Sequence, residues 1–134
     1  MSHGILIVDD SALIRHSMRS CIEQNTDWEV CGEAENGLIA IEQVRLLHPE
    51  VVILDWQMPV MDGLRAAREI IRIAPGTTLL MITLHDGAQL TEDAHAAGIK
   101  EVLSKTDGIA EHLIASLSNV TATAPGALTG EQRS

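Results

Sequence analysis

The sequence predicts an α/β fold in which a parallel β-sheet carries helices on both faces. Short apolar runs alternate five times with segments of helical periodicity, as is typical of strands joined by crossover helices. The run at residues 51–54 is apolar at every position, as in strands that are buried on both faces of a parallel sheet. Crossovers between parallel strands are right-handed. We expect a doubly wound, flavodoxin-like sheet of five strands in the order 2-1-3-4-5.

The first half of the chain contains two predicted strands and two predicted helices. An apolar run at residues 4–8 predicts the first strand, and Ser11 behind it is a suitable N-cap for the first helix. That helix has four apolar residues on one face: Ile14, Met18, Cys21 and Ile22. Loose alternation over residues 28–34 predicts an edge strand. A second helix over residues 38–47 ends at His48-Pro49. Its apolar residues fall in steps of three: Leu38, Ile41, Val44 and Leu47.

The second half continues the alternation and then changes in composition. Its elements are, in order, a strand at residues 51–54, a helix at 63–73, a strand at 78–82, a helix that ends at Gly98, a strand at 102–103 and a helix opened by Asp107-Gly108. Beyond Asn119 the residues are typical of a linker. We therefore predict one folded domain over residues 1–120 and a linker or disordered tail over residues 121–134.

Composition and charge exclude several classes of protein. The chain has 134 residues, the size of one domain, and 46% of them are hydrophobic. A net charge of -10 argues against binding to nucleic acid or to an anionic membrane surface. No segment resembles a signal peptide or a membrane span, so we expect a cytoplasmic protein. Cys21 and Cys31 lack the spacing of a metal or redox motif and are expected to be reduced thiols.

Polar residues stand at the carboxyl ends of four of the predicted strands. They are Asp9 and Asp10 after strand one, Asp55 after strand three, Thr83 after strand four and Lys105 after strand five. In the order 2-1-3-4-5 these four strands are neighbours, so the five side chains should converge where open α/β sheets bind ligands. Each residue alone has a simpler interpretation, because aspartate is common in turns and at helix starts and lysine is common on surfaces.

The chemistry of this set favours a divalent cation and a phosphoryl group. Three neighbouring carboxylates repel one another unless a cation joins them, and oxygen ligands of this kind suit Mg²⁺. A hydroxyl and an ammonium group beside that ion would suit the oxygens of an incoming phosphoryl group. Asp55 is then a candidate nucleophile, because aspartate can form an acyl phosphate.

The sequence resembles the receiver domains of two-component response regulators over about residues 4–120. The motifs that carry the resemblance are Ile7-Val8-Asp9-Asp10-Ser11, Leu54-Asp55-Trp56-Gln57-Met58-Pro59 with Met61-Asp62-Gly63, Ile82-Thr83, and Ala97-Gly98 leading to Ser104-Lys105. The segments 33–37 and 103–105 look most like the LuxR/NarL-like subfamily, in which the receiver precedes a helix-turn-helix DNA-binding domain.

The resemblance implies a role for each residue of the set. Asp55 would accept a phosphoryl group from a histidine kinase or a phosphotransfer protein. Asp10, Asp55 and the backbone carbonyl of Gln57 would bind Mg²⁺ directly, and Asp9 would assist through water. Thr83 and Lys105 would bind the phosphoryl oxygens. Family members often regulate transcription, and some form a homodimer on phosphorylation.

Three positions depart from the usual receiver pattern. Val102 stands where many receivers have an aromatic switch residue, so the output mechanism is open. Thr106 replaces a common proline, and bulky Leu84 replaces a small residue that usually follows the threonine.

The same residues bear on other functions. One alternative is a stand-alone receiver that relays or absorbs phosphoryl groups. An aspartyl-phosphate hydrolase is disfavoured because Gln57 stands where such enzymes carry a second acid, and a nucleotide-binding protein is disfavoured because no glycine-rich loop follows strand one. We therefore predict a phosphoacceptor switch that is not an enzyme.

Overall fold

The computed structural model describes residues 4–58, 60–84, 87–105 and 109–123, with side chains as far as residue 120. Thr106 and the predicted helix start at Asp107-Gly108 lie outside the described residues, as do residues 124–134. The elements alternate as β1 (Gly4–Val8), α1 (Ala12–Asn25), β2 (Glu29–Ala34), α2 (Gly37–Leu47), β3 (Val51–Asp55), α3 (Gly63–Ile73), β4 (Thr78–Thr83), α4 (Ala88–Ala96), β5 (Glu101–Ser104) and α5 (Ile109–Thr123).

The five strands form one parallel sheet in the order β2-β1-β3-β4-β5. The predicted fold class and strand order are confirmed. β3 lies in the middle of the sheet, where Val52 pairs with Leu6 on one side and with Leu79 on the other. β2 is an edge strand, as its mixed pattern predicted.

Alternate strand residues point to opposite faces of the sheet and build two apolar clusters. One face, with Leu6, Val52 and Leu79 at its centre, packs against α2, α3 and α4. The other face, with Ile5 and Ile53 at its centre, packs against α1 and α5. This arrangement buries both faces of the central strands, so their carboxyl ends are held by a rigid core.

The helices begin and end at residues with clear local causes. The side chains of Ser11, Asn36 and Asp62 cap α1, α2 and α3 by accepting backbone N–H groups of the first turn. Gly98 has φ 98° just beyond α4, which is the left-handed C′ position expected for it. Among the described residues, no helix is long and apolar enough to cross a membrane.

Two helices differ from the sequence prediction. The sequence predicts that Leu38 and Leu47 belong to the apolar face of α2, but both are exposed. The buried residues of this helix are Gly37, Ala40, Ile41 and Val44. Steps of three drift around a helix of 3.6 residues per turn, so the two ends of that stripe leave the buried face. α5 continues to Thr123, into the segment predicted as a linker, because no glycine or proline interrupts it there.

Candidate functional site

The sheet brings the predicted polar residues to one edge. Asp55 is the last residue of β3, and Thr83 is the last residue of β4. Asp9-Asp10 directly follow β1, and Lys105 directly follows β5. Because β1, β3, β4 and β5 are adjacent in the sheet, their ends meet although the residues are far apart in the chain. Lys105 and Asp9, for example, are 96 positions apart and their side chains are in contact.

Three carboxylates form the centre of this edge. Asp9, Asp10 and Asp55 each offer a carboxylate oxygen, and these three oxygens lie within 4.8 Å of one another. Asp9 is 1% exposed and Asp55 is 7% exposed, whereas Asp10 is open to solvent. Clustered carboxylates of mixed burial are the donor set that suits Mg²⁺, which binds one or two protein carboxylates and keeps several waters. The residues present therefore fit this ion.

Lys105 links two of the carboxylates. Its ammonium group donates to Asp9 Oδ2 at 3.0 Å and lies 3.2 Å from Asp55 Oδ2. Its backbone N–H donates to the carbonyl oxygen of Thr83 at 2.7 Å, which joins the loops after β4 and β5. Burial lowers the pKa of Lys105, but its contacts with Asp9 and Asp55 outweigh burial, so this pKa lies above its ordinary value. Lys105 is therefore charged at neutral pH.

The pKa of the Asp55 carboxyl group is shifted by its surroundings. Burial raises its pKa above the ordinary value, and the neighbouring Asp9 carboxylate adds to this effect. Lys105 and the backbone N–H of Gln57, 3.4 Å from Asp55 Oδ1, act in the opposite direction and offset only part of it. A cation placed among the three carboxylates would relieve this repulsion.

The loop that follows Asp55 is anchored at both ends. The N–H of Trp56 donates to the carbonyl oxygen of Ile82 at 3.0 Å, and the N–H of Gly63 donates to the carbonyl oxygen of Trp56 at 2.9 Å. These two bonds tie the loop to β4 and to the start of α3. The backbone around Gln57 is therefore held beside the carboxylates by contacts on both sides.

A cavity of about 270 Å³ opens at the site. Its lining comprises Asp10, Asp55, Gln57, Thr83, Leu84 and Lys105. Five of the six residues that the sequence predicts for metal or phosphoryl binding line this cavity. The sixth, Asp9, accepts a hydrogen bond from one of the lining residues, Lys105. Leu84 lines the cavity and is also 63% exposed, so it lies at the mouth.

We expect Leu84→Ala to increase the rate at which small donors phosphorylate the protein and the rate at which the phosphoryl group is lost. Removing the side chain at the cavity mouth should widen access for the donor and for water, with rate increases on the order of threefold, equivalent to less than 1 kcal/mol of barrier. Both rates can be followed by intact-protein mass. Leu46→Ala is a matched control, because Leu46 is 71% exposed on α2 and does not line the cavity. Rates equal to wild type in Leu84→Ala would reject a gating role.

One residue near the site was not identified from the sequence. The guanidinium group of Arg15 on α1 donates to the backbone carbonyl oxygen of Asp9. Arg15 lies outside the apolar face of its helix and belongs to none of the sequence motifs. A side chain that binds a backbone carbonyl leaves no motif, so no sequence pattern pointed to it.

The chain matches a family model described as "Response regulator receiver domain" over residues 5–117. Among curated relatives, the protein-glutamate methylesterase/protein-glutamine glutaminase of Alkalilimnicola ehrlichii is 44% identical over 101 residues, which are 75% of this chain and 26% of that protein. The protein of the same name from Aliivibrio fischeri is 42% identical over 106 residues, which are 78% of this chain and 28% of that protein. The chain thus spans little more than a quarter of the length of these relatives.

Solved structures show the same fold. The response regulator domain of Thermotoga maritima CheB is 27% identical, with a TM-score of 0.83 over 93% of this chain and 100% of that chain. A DNA-binding response regulator of the LuxR family from Staphylococcus aureus is also 27% identical, with a TM-score of 0.81 over 88% of this chain and 98% of that chain.

The prediction that this protein is not an enzyme is contradicted by the curated relatives, which carry the name of an enzyme. The prediction rests on Gln57, which stands two residues after the expected nucleophile Asp55. That residue bears only on hydrolysis at Asp55, and it carries no information about an activity elsewhere in a longer protein. The resemblance to the LuxR/NarL-like subfamily is likewise not distinctive, since a LuxR family member and a CheB domain match this chain with equal identity.

Proposed function

Because this chain belongs to the response regulator receiver domain family, we propose that it is a phosphorylation-controlled switch whose phosphoacceptor is Asp55. The observation that supports this proposal is the convergence of three carboxylates with Lys105 at one sheet edge. The proposed phosphoryl donor is a histidine kinase or a phosphotransfer protein, and the proposed location is the cytoplasm.

The proposed transfer step uses the side chains that meet at this sheet edge. A carboxylate oxygen of Asp55 attacks the phosphorus atom of a phosphohistidine, and a P–O bond forms as the P–N bond breaks. The imidazole nitrogen leaves with the electron pair of that bond. Lys105, which contacts Asp55 Oδ2 before transfer, and Thr83, which lines the same cavity, then bind phosphoryl oxygens. The acyl phosphate carries a charge of about -1.5 to -2, by analogy with other phosphorylated side chains, in place of the single negative charge of the Asp55 carboxylate.

Mg²⁺ is the proposed cofactor. Asp10, Asp55 and the backbone carbonyl of Gln57 would hold it, with Asp9 assisting through water. When bound, the ion supplies positive charge that offsets the repulsion between these carboxylates and the phosphoryl group. The cluster of three carboxylate oxygens within 4.8 Å of one another supports this assignment. The pKa of Asp55 is raised mainly by burial and further by the Asp9 carboxylate, and a cation would offset the second effect.

The proposal is tested by measuring the intact mass of the protein after incubation with a small acyl phosphate donor, with and without Mg²⁺. We expect a gain of one phosphoryl group that requires Mg²⁺ and maps to the peptide that contains Asp55. A protein that gains no mass from small donors is then tested with a purified histidine kinase. A folded protein that gains no mass from either source would overturn the proposal.

Mg²⁺ affinity should fall as the pH is lowered, and the fall should begin at higher pH than the ordinary aspartate range. The pKa of Asp55 is raised, so this carboxylate takes up a proton that competes with the metal while an exposed aspartate is still charged. Calorimetric titrations at about pH 7 and about pH 5 measure the change. An affinity that falls only at the lower pH where an exposed aspartate takes up its proton would contradict a ligand role for an Asp55 of raised pKa. Asp55→Asn is the control, because its residual Mg²⁺ binding should depend less on pH over this range.

We propose that the output controlled by this receiver is enzymatic, of the protein-glutamate methylesterase/protein-glutamine glutaminase type. The proposal is supported by relatives of that name at 42–44% identity. A DNA-binding output is the second candidate, supported by the LuxR family structure at 27% identity. A free-standing receiver that relays phosphoryl groups is a further candidate. Homodimerisation on phosphorylation is compatible with each of these functions.

A domain exchange discriminates between the two outputs. This chain replaces the matching residues of the Aliivibrio fischeri relative in one chimera and those of the Staphylococcus aureus regulator in the other. We expect phosphorylation to change the esterase activity of the first chimera and to leave DNA binding by the second unchanged. The opposite pattern would reject the enzymatic output. The Asp55→Asn version of each chimera is the control for effects unrelated to phosphorylation.

A further inference from the structure

Arg15 makes two contacts that link α1 to neighbouring strands. Its Nη1 donates to the backbone carbonyl oxygen of Asp9, which follows β1. Its Nε donates to Glu33 Oε1 on β2 at 2.9 Å. The side chain is only 16% exposed, so both contacts are largely shielded from solvent. A planar guanidinium that binds two partners in this way holds them in a defined relative position.

Glu33 is itself held in place from a second side. Arg19, one turn further along α1, donates through Nε to Glu33 Oε2 at 2.9 Å, and its Nη2 lies at the same distance from that oxygen. Burial raises the pKa of Glu33, but the hydrogen bonds and charges of Arg15 and Arg19 outweigh burial, so this pKa lies below its ordinary value. Glu33 is therefore an ionised anchor for the Arg15 guanidinium at neutral pH.

The contact with Arg15 completes the hydrogen bonding of Asp9. The N–H of Asp9 donates to the carbonyl oxygen of Ala34 at 3.0 Å, and its Oδ1 accepts from the N–H of Ser11 at 2.9 Å. Its Oδ2 accepts from Lys105, and its carbonyl oxygen accepts from Arg15. Every polar atom of Asp9 thus has a hydrogen-bond partner. Among the contacts described, Arg15 is the partner of its carbonyl oxygen.

That carbonyl belongs to the peptide group that joins Asp9 to Asp10. The orientation of this peptide group sets the direction of the backbone at Asp10. It therefore also sets the position of the exposed Asp10 side chain. We propose that Arg15 is a positioning residue for the cation site: by holding the Asp9 carbonyl it sets the place of the Asp10 carboxylate relative to Asp9 and Asp55. This inference rests on the proposed function, in which those carboxylates bind Mg²⁺.

Charge and position make opposite predictions for the loss of Arg15. A guanidinium that contacts the backbone of Asp9 repels a dication bound nearby, so its removal by charge alone would strengthen Mg²⁺ binding. If Arg15 acts by position, its removal weakens binding. The loss of an outer partner that orients a metal ligand typically lowers metal affinity by about 10- to 100-fold.

The experiment compares Arg15→Met with Arg19→Met. Each substitution removes one guanidinium group from Glu33, but of these two arginines only Arg15 also contacts Asp9. We expect Arg15→Met to lower Mg²⁺ affinity by about tenfold, measured by calorimetry, and Arg19→Met to change it by less than about twofold. Arg15→Lys keeps the charge but cannot bridge both partners with a planar fork, so its affinity should also fall. If Arg15→Met does not fold, Arg15→Lys carries the test.

A second readout needs no metal. The N–H of Ser11 donates to Asp9 Oδ1, so its hydrogen exchange in the metal-free protein reports on the order of this loop. We expect faster exchange in Arg15→Met and wild-type exchange in Arg19→Met. Mg²⁺ affinity in Arg15→Met that equals or exceeds wild type would overturn the inference, as would equal losses in the two variants. If the wild-type protein itself does not bind Mg²⁺, the proposed function is overturned. In that case hydrogen exchange at Ser11 still tests the positioning role, and an exchange rate in Arg15→Met equal to wild type would reject it.

Discussion

Asp55→Asn is expected to abolish phosphoryl acceptance, with no detectable mass gain under conditions that fully modify the wild-type protein. The amide of asparagine has nearly the shape of the carboxylate but lacks the anionic oxygen that attacks phosphorus. Lys105 would keep its contact with Asp9, so the surrounding loops should stay in place. Intact-protein mass in the presence of Mg²⁺ measures the outcome.

The loss should not come from unfolding. The pKa of Asp55 is raised in the folded protein by burial and by Asp9, so the charged form opposes folding at pH values above that pKa. The neutral asparagine should therefore make the metal-free protein more stable at neutral pH. This gain should disappear as the pH falls below the pKa of Asp55 in the unfolded chain, where both states are protonated. Urea unfolding at neutral and acidic pH checks the sign.

Asp62→Asn is the matched control for the mass measurement. Asp62 caps α3, and asparagine caps a helix equally well, so this variant should accept the phosphoryl group at the wild-type level. A mass gain in Asp55→Asn equal to that of Asp62→Asn would show that another residue is the acceptor.

Gly63→Ala is expected to destabilise the protein and to disturb the site at the same time. A Cβ atom at Gly63 would lie 2.5 Å from the carbonyl oxygen of Asp55 and 3.0 Å from the Cα of Trp56. Both are backbone atoms, which cannot move aside as a flexible side chain can. The overpacking should lower the free energy of unfolding by about 1–3 kcal/mol, despite the better helix propensity of alanine. Displacement of the Asp55 backbone should also weaken Mg²⁺ binding.

Gly76→Ala is the control for this effect. A Cβ atom at Gly76 would have nothing within 4 Å, so its unfolding free energy should change by less than about 0.5 kcal/mol. Urea denaturation measures stability, and calorimetry measures Mg²⁺ binding. A Gly63→Ala protein that matches wild type in both would mean that the start of α3 can shift without moving Asp55.

The sequence by itself determined the architecture and the identity of the converging residues. Buried parallel strands are apolar at consecutive positions, and helices repeat every 3.6 residues, so local patterns revealed all ten elements in order. A parallel sheet brings the carboxyl ends of its strands to one edge. Together with the expected strand order 2-1-3-4-5, the positions of Asp9, Asp10, Asp55, Thr83 and Lys105 after their strands predicted that these side chains meet.

Only the tertiary structure decided which atoms touch and which surfaces remain exposed. The Arg15 contact with the Asp9 carbonyl, the close approach of Gly63 to the carbonyl of Asp55, and the exposure of Leu38 each depend on how elements pack. The first two are contacts of a side chain with a backbone group or of a glycine with a neighbouring loop, and such contacts need no distinctive residue pattern. Periodicity reports which face of a segment is apolar, whereas packing geometry decides how far that face extends and what lies against it.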